Sequence, residues 1–407
     1  MERFISFLGL LVMIALAWLC SVDRKRMNWR LILSGVGLQL ALAALLLTTP
    51  LRQRTFDVVA ALMTGFIACS DEGARFVFGE GFREHYFAFS VMPTVIVFSS
   101  LTAILFYIGI LQWVVKLMAG AMIWVMDVSG TESLCAAANV FVGMTTAPLV
   151  IRPYLQTMTR SELMAMMTGG MATAAGGTMV AYVGMAKQAG YPTGDLAGHL
   201  MVASLISAPA SLVIAKIMVP EIEESPTKGT VKVEVPRADA NILDAACRGA
   251  AEGLKLVLNI VAMLIAFIAL VHLVNWGLAP LSRIVGEPLT LERMLGWLCA
   301  PLAWIMGVEW KDAHTVGILI GEKTVFNEFL AYQSLMECKD AISPRSFVIA
   351  TYALCGFANF GSIAVTIGGI SSLAPERRPD FAKYGFRAMI GGALAAFMTA
   401  AIAGMLI

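Results

Sequence analysis

Charge is what this chain of 407 residues has least of. Asp, Glu, Lys and Arg make up 14% of it, against roughly 25% in soluble domains. Hydrophobic residues reach 58% and the mean hydropathy is +0.78, which excludes an ordinary soluble protein. The 29 basic and 28 acidic residues leave a net charge of +1, so there is no general basic character for nucleic acid. Four histidines occur, His85, His199, His272 and His314, in no zinc-ligand spacing. The cysteines, Cys20, Cys69, Cys135, Cys247, Cys299, Cys338 and Cys355, form no CxxC and no paired spacing. They read as small buried thiols and not as a disulfide frame or metal site. No Ser/His, GxGD-like or HExxH arrangement supplies the machinery of an intramembrane enzyme.

What is present is a polytopic, all-α membrane protein. Spans near the ~20 residues a bilayer requires are expected at residues 4–20, 31–49, 92–115, 200–219, 256–276 and 386–407. The first run carries its basic cluster, Arg24, Lys25, Arg26 and Arg30, after the apolar stretch, unlike a signal peptide. It reads as a retained helix with its N-terminus outside and the basic side cytoplasmic. Residues 51–92 hold Asp71, Glu72, Arg75, Glu80, Arg83 and Glu84 among aromatics, a pattern suited to interfacial helices. Residues 289–307, with Pro301, read as apolar or interfacial, and 220–240 as a soluble hinge between two halves.

Two kinds of segment occur twice. Residues 351–370 are apolar but carry Asn359 and Ser362 beside Gly356, Gly361, Gly368 and Gly369. Such a helix is expected to break at membrane depth, where irregular backbone survives only inside protein or against a wet cavity. Residues 163–186, with Thr173, Gly176, Gly177 and Thr178, look alike. Each follows a candidate re-entrant hairpin of two short apolar arms. The first, 130–158, turns at residues 143–148; the second, 310–337, is expected to turn at Gly321, Glu322, Lys323 and Thr324. Aligning Arg160-Ser161 with Arg345-Ser346 also matches Gly176 with Gly361, Gly184 with Gly369 and Ala174 with Asn359. Placing the linker, the 152–160 turn and the Arg377, Arg378, Lys383 loop inside gives the hairpins opposite entry sides, the inverted repeat of a secondary transporter. A passive channel offers no reason for that symmetry.

Glu328, acidic in an apolar hairpin, must be paired, protonated or in contact with water, and such residues are usually functional. Glu322 and Lys323, at the expected tip, read as solvated or paired with each other. Asn139 reads as an interhelical hydrogen-bond donor or as an oxygen ligand for a hard cation.

The runs Gly321-Glu322-Lys323, Asn327-Glu328-Phe329-Leu330-Ala331-Tyr332 and Tyr352-Ala353-Leu354-Cys355-Gly356-Phe357-Ala358-Asn359-Phe360 resemble the concentrative nucleoside transporter family. So do Gly368-Gly369, Ala374-Pro375-Glu376-Arg377-Arg378, Ala138-Asn139-Val140-Phe141-Val142-Gly143 and Ala147-Pro148-Leu149. The resemblance implies a homotrimer in a bacterial-type inner membrane, each subunit with eight transmembrane helices, two re-entrant hairpins and interfacial helices. It implies nucleoside import driven by sodium or, in some bacterial members, by protons. It also implies that Glu328, Asn359 and Ser362 hold the ribose hydroxyls, that Phe357 lies near the base, and that Thr145 and Thr178 contribute to the base side. Asn139, Val142, Thr173 and Ala174 would form a sodium site, the apolar two through backbone carbonyls.

One departure stands out. Where the family commonly has Gly-Gln-Thr-Glu-Ala-Pro, this chain has Gly143-Met144-Thr145-Thr146-Ala147-Pro148. Met144 lacks an amide and Thr146 lacks a charge, so altered base preference is expected, or a carrier of another small polar metabolite. The expected division is scaffold in 1–126 and 220–309, and transport repeats in 127–219 and 310–407.

Overall fold

A computed structural model describes residues 2–83, 89, 91–229, 239–285 and 289–407. Glu84 of the expected interfacial segment, His85 and residues 230–238 of the linker lie outside these. Helices α1 (Glu2–Leu19) and α2 (Trp29–Thr48) fall where expected. The Asn28 side chain caps α2 by accepting the Leu31 N–H at 3.1 Å. Helix α3 (Leu51–Phe78) is followed by α4 (Met92–Tyr107) and α5 (Ile110–Met126), which meet at 77°. The stretch expected as one straight span over 92–115 is thus a bent pair of helices that runs on to Met126. Gly109, at φ +90°, adopts a left-handed conformation open to glycine and turns the chain there.

The first hairpin is α6 (Gly130–Val142) and the single turn α7 (Ala147–Val150). Helices α8 (Arg160–Ala172) and α9 (Gly176–Gln188) form one broken rod, followed by α10 (Thr193–Met218). After α11 (Ile242–Val285), far longer than the 256–276 span expected, come α12 (Leu291–Ile305), α13 (Trp310–Val325) and α14 (Glu328–Glu337). The second broken rod is α15 (Pro344–Leu354) and α16 (Phe360–Ser371), and α17 (Arg378–Leu406) closes the chain. Among the described residues, five helices are long and apolar enough to cross a membrane, or six if the α4–α5 pair is one span.

Helix α17 lies at the centre, packed on α1, α8, α10, α15 and α16. Both α10 and α17 are largely buried in protein, whereas α11 packs on α4 and leaves Ile265, Leu273 and Trp276 exposed. The two broken rods start alike. The hydroxyl of Thr159 accepts the Glu162 N–H at 3.1 Å to cap α8, and that of Ser343 accepts the Ser346 N–H at 3.2 Å to cap α15. Ser161 then donates to the Val219 carbonyl at 2.6 Å, while the Ser346 hydroxyl accepts the Glu309 N–H at 3.4 Å.

The breaks fall at residues 173–175 and 355–359, inside the two segments expected to contain them. The second hairpin differs from expectation. Residues 321–324 are helical, α13 runs on to Val325, and the turn comes at residues 326 and 327. Local polarity suggested a turn, but Glu322 and Lys323 are 9% and 1% exposed and neither is a solvated tip residue. Lys323 reaches a partner on another helix, which only the tertiary fold supplies.

The two breaks touch. Gly356 has φ +136°, and a Cβ there would lie 2.6 Å from the Ala172 carbonyl oxygen. Gly356→Ala is expected to lower the melting temperature of the purified protein in detergent, the backbone strain alone being on the order of 1–3 kcal/mol. Gly368→Ala, with nothing within 4 Å of its added Cβ, is expected to change it little. Equal melting of the two variants would remove this account of the crossing.

Candidate functional site

Asn359 and Glu328 are each set at the start of a short helix. Asn359 caps α16, its Oδ1 accepting the Ser362 N–H at 2.8 Å, and its Nδ2 donates to Glu328 Oε2 at 3.0 Å. Glu328 is the first residue of α14, whose cap Asn327 accepts the Leu330 N–H at 3.0 Å. Two helix N-termini therefore converge on one buried carboxylate and amide, where their dipoles favour negative charge. Glu328, Asn359 and Ser362 are 6%, 2% and 5% exposed, and Phe357 lies in the break immediately before Asn359.

The first hairpin reaches the same helix from the other repeat. The Thr366 hydroxyl of α16 donates to the Met144 sulfur at 3.6 Å, and Thr145 lies beside Gly369. Ser362, Thr366 and Gly369 follow one another at helical spacing, so one face of α16 runs from the Glu328–Asn359 pair to the hairpin turn. Met144 is half-buried, its Cβ against Gly170, and Thr145 is exposed. Thr146 is half-buried, and its N–H donates to the Gly143 carbonyl at 3.3 Å. Thr178 is buried on α9 and gives its hydroxyl proton to the Ala175 carbonyl at 2.8 Å. The arrangement thus joins Glu328, Asn359, Ser362, Met144 and Thr145 along α16, and leaves the Thr178 proton engaged locally.

A second cluster surrounds the break between α8 and α9. Asn139 is 1% exposed, its amide nitrogen lies beside Gly169 and Gly170, and its Oδ1 has no hydrogen-bond partner. The Thr173 and Ser207 hydroxyls are 2.8 Å apart, and Ser207 donates to the Ser204 carbonyl at 2.8 Å. Thr173 must then donate to Ser207, which leaves its own lone pairs free. The Ser204 hydroxyl faces the Ala174 carbonyl at 3.4 Å. Val142 is the last residue of α6, so its carbonyl is among those a helix end leaves without an internal partner. These are neutral oxygens, the donor set that suits a hard monovalent cation. Among the described residues, no group of three or more His, Cys, Asp or Glu side chains could hold a metal.

Sequence reasoning missed Thr366, Ser204 and Ser207. Ser204, Ser207 and Ser211 recur at three- and four-residue spacing along the otherwise apolar α10, a polar stripe that could have identified them. Also missed was Tyr182 of α9, stacked on Tyr332 of α14 with ring centroids 4.1 Å apart.

Known proteins resemble the chain along its whole length. Family models described as the N-terminus of Na+ dependent nucleoside transporters, as nucleoside recognition, and as the C-terminus of those transporters match residues 8–81, 88–189 and 199–404. Solute carrier family 28 member 3 of Rattus norvegicus is 41% identical over all of this chain and 59% of its own length. Sodium/nucleoside cotransporter 1 of Homo sapiens is 37% identical, with 64% of its length covered. The chain thus spans about three fifths of these relatives. A structure of CNTnw in an inward-facing substrate-bound state is 39% identical with a TM-score of 0.91, covering 100% of this chain and 98% of that one.

Asn359→Ala removes both the helix cap and the hydrogen bond to Glu328. It is expected to cost about 1 kcal/mol for the cap and further stability for the buried carboxylate left without its amide. Asn359→Ser restores the cap alone, so its melting temperature in detergent should fall between those of Asn359→Ala and the parent. A melting temperature no higher than that of Asn359→Ala would dissociate stability from the cap.

Proposed function

The chain belongs to the concentrative, sodium-dependent nucleoside transporter family, and we propose that it is a secondary active symporter importing nucleosides down a sodium gradient. The observation that carries this reading is the buried Glu328–Asn359 pair, 3.0 Å apart where α14 and α16 begin. A carboxylate that accepts and an amide that both donates and accepts match the adjacent hydroxyls of a ribose, with Ser362 beside them. Phe357 offers an aromatic face to the base. Asn139 and Thr173, with the carbonyls of Val142 and Ala174, take the sodium ion as a coupling ion.

In this reading the α8–α9 and α15–α16 rods each cross the membrane and the two hairpins are re-entrant. With the five long helices and the α4–α5 pair, the broken rods bring the spans to eight. The transport domain comprises residues 127–219 and 310–407, and the scaffold comprises 1–126 and 220–309. Three copies assemble in a bacterial-type inner membrane with the N-terminus outside. The test is uptake of labelled nucleosides into proteoliposomes, with and without an inward sodium gradient. Uptake is expected to rise with the gradient, and Asn139→Ala is expected to abolish that rise while the protein still inserts. Failure of every nucleoside to enter or exchange would sink the substrate assignment. Sodium stimulation unchanged in Asn139→Ala would move the ion elsewhere.

Base recognition departs from the family pattern. Met144 offers the base a thioether already facing Thr366, and Thr146 has no charge to offer. We assign the chain an altered nucleobase preference on that ground, since lost hydrogen bonds at a specificity site change discrimination strongly. Met144→Gln combined with Thr146→Glu is expected to reorder the uptake of pyrimidine and purine nucleosides. An unchanged order would refute the assignment.

A further inference from the structure

Lys323 has no part in that scheme, yet it is among the largest fully buried side chains. It lies two residues before the end of α13, and its Nζ donates to the Ala353 carbonyl at 2.8 Å. The ammonium sits 5.8 Å from the centroid of the Phe397 ring on α17, and it makes no ion pair among the described residues. A buried ammonium outside any direct ion pair is costly, and the Glu328 carboxylate of α14 offsets that cost only through space. The ammonium's direct compensation here is a helix end. Ala353 is the penultimate residue of α15, and carbonyls in the last turn lack internal partners and carry the negative end of the helix dipole. The Tyr332 hydroxyl takes the Thr351 carbonyl at 2.6 Å, and the Cys355 N–H takes that of Tyr352 at 3.2 Å. Lys323 thus takes a third of the last four carbonyls of α15 and adds its charge.

The first repeat is built the other way. Its hairpin arm α6 sends the neutral Asn139 against Gly169 and Gly170 of α8, as α13 sends Lys323 against α15. Where α8 ends stand the Thr173 hydroxyl and the Ala174 carbonyl, and Asn139, whose Oδ1 is orphaned, packs its amide against the last turn of α8 at Gly169 and Gly170. We propose that the Lys323 ammonium is a built-in cation of the second repeat. It stands at the carbonyl end of α15 as an exchangeable sodium ion stands at the end of α8, and so confines exchangeable cation binding to the first repeat. This inference rests on the sodium reading of Asn139 and Thr173. Charge at a helix end also fixes where α15 stops, and thereby where Asn359 begins α16, which makes Lys323 a positioning residue for the sugar side.

Uridine and adenosine uptake against sodium concentration, in proteoliposomes, separates the claims. The parent protein is expected to give a sodium Hill coefficient of about 1, the limit for one site. No response to sodium in the parent would overturn the reading of the first repeat itself. Lys323→Ala vacates the ammonium's place, and its Hill coefficient should rise toward about 2 as a second ion becomes necessary. At fixed low sodium its uptake should be partly restored by methylammonium. Lys323→Met fills the space without charge and should lose uptake at least about tenfold, a 1.4 kcal/mol effect, with no recovery from either cation. Parent-like uptake by Lys323→Met would overturn the proposal. So would a Hill coefficient of about 1 in Lys323→Ala with no methylammonium response, the expectation for one remaining site. Should Lys323→Ala not purify as folded protein, Lys323→Gln keeps a donor for Ala353 without the charge. Parent-like uptake and sodium dependence in that variant would overturn the proposal equally.

Discussion

A helix that stops inside an apolar bundle leaves as many as four N–H and four carbonyl groups without internal partners, and no bulk water is at hand to take them. This protein stops helices there repeatedly. Its architecture follows from what is supplied to each exposed end. At the starts of α14 and α16, Asn327 and Asn359 accept backbone N–H groups, and Glu328 lies where two helix dipoles point. At the end of α15 a hydroxyl, a backbone N–H and an ammonium take three of the last four carbonyls. At the end of α8 the neutral groups of Thr173 and Ala174 stand near the last turn that the Asn139 amide packs against, and Asn139 Oδ1 is left unpaired. An unsatisfied buried acceptor is costly, a cost that the proposed sodium ion would remove.

The two breaks also constrain one another. Gly356 sits so close to the Ala172 carbonyl that a side chain at that position would overlap it. The turn of the first hairpin packs on the first break, since a Cβ on Gly143 would meet that of Ala175 at 2.8 Å, and its Met144 meets Thr366 of the second rod. Thr173, Ala172, Gly356 and Asn359 therefore form a short path, along the chain and across one close contact, between the two breaks. In the proposed reading, this contiguity is the physical route by which ion and nucleoside binding are coupled.

Much of this was legible beforehand. Low charge and apolar runs dictated helices, because only structures that satisfy their own backbone survive in lipid. Glycines clustered with Asn and Thr marked both breaks, and the acidic residue in an apolar hairpin marked Glu328. The motif match proposed the nucleoside residues before any geometry was available. The bend at Gly109 was not legible, since a single glycine in an apolar run can equally continue a helix.

The sequence by itself determined the helical membrane class, the doubled order of hairpin and broken rod, and the residues that line them. Those features are local: periodicity, apolar length and residues that break a helix act within a few positions of themselves. Only the tertiary structure decided that Lys323 is a buried cation on a helix end and not a solvated tip, that Asn139 Oδ1 is left without a partner, and that Ser207 orients Thr173. The partners in question lie 30 or more residues away, at Ala353 for Lys323 and at Ser207 for Thr173. A polar side chain in an apolar setting states its need in the sequence, but the group that meets it is chosen by how the helices pack.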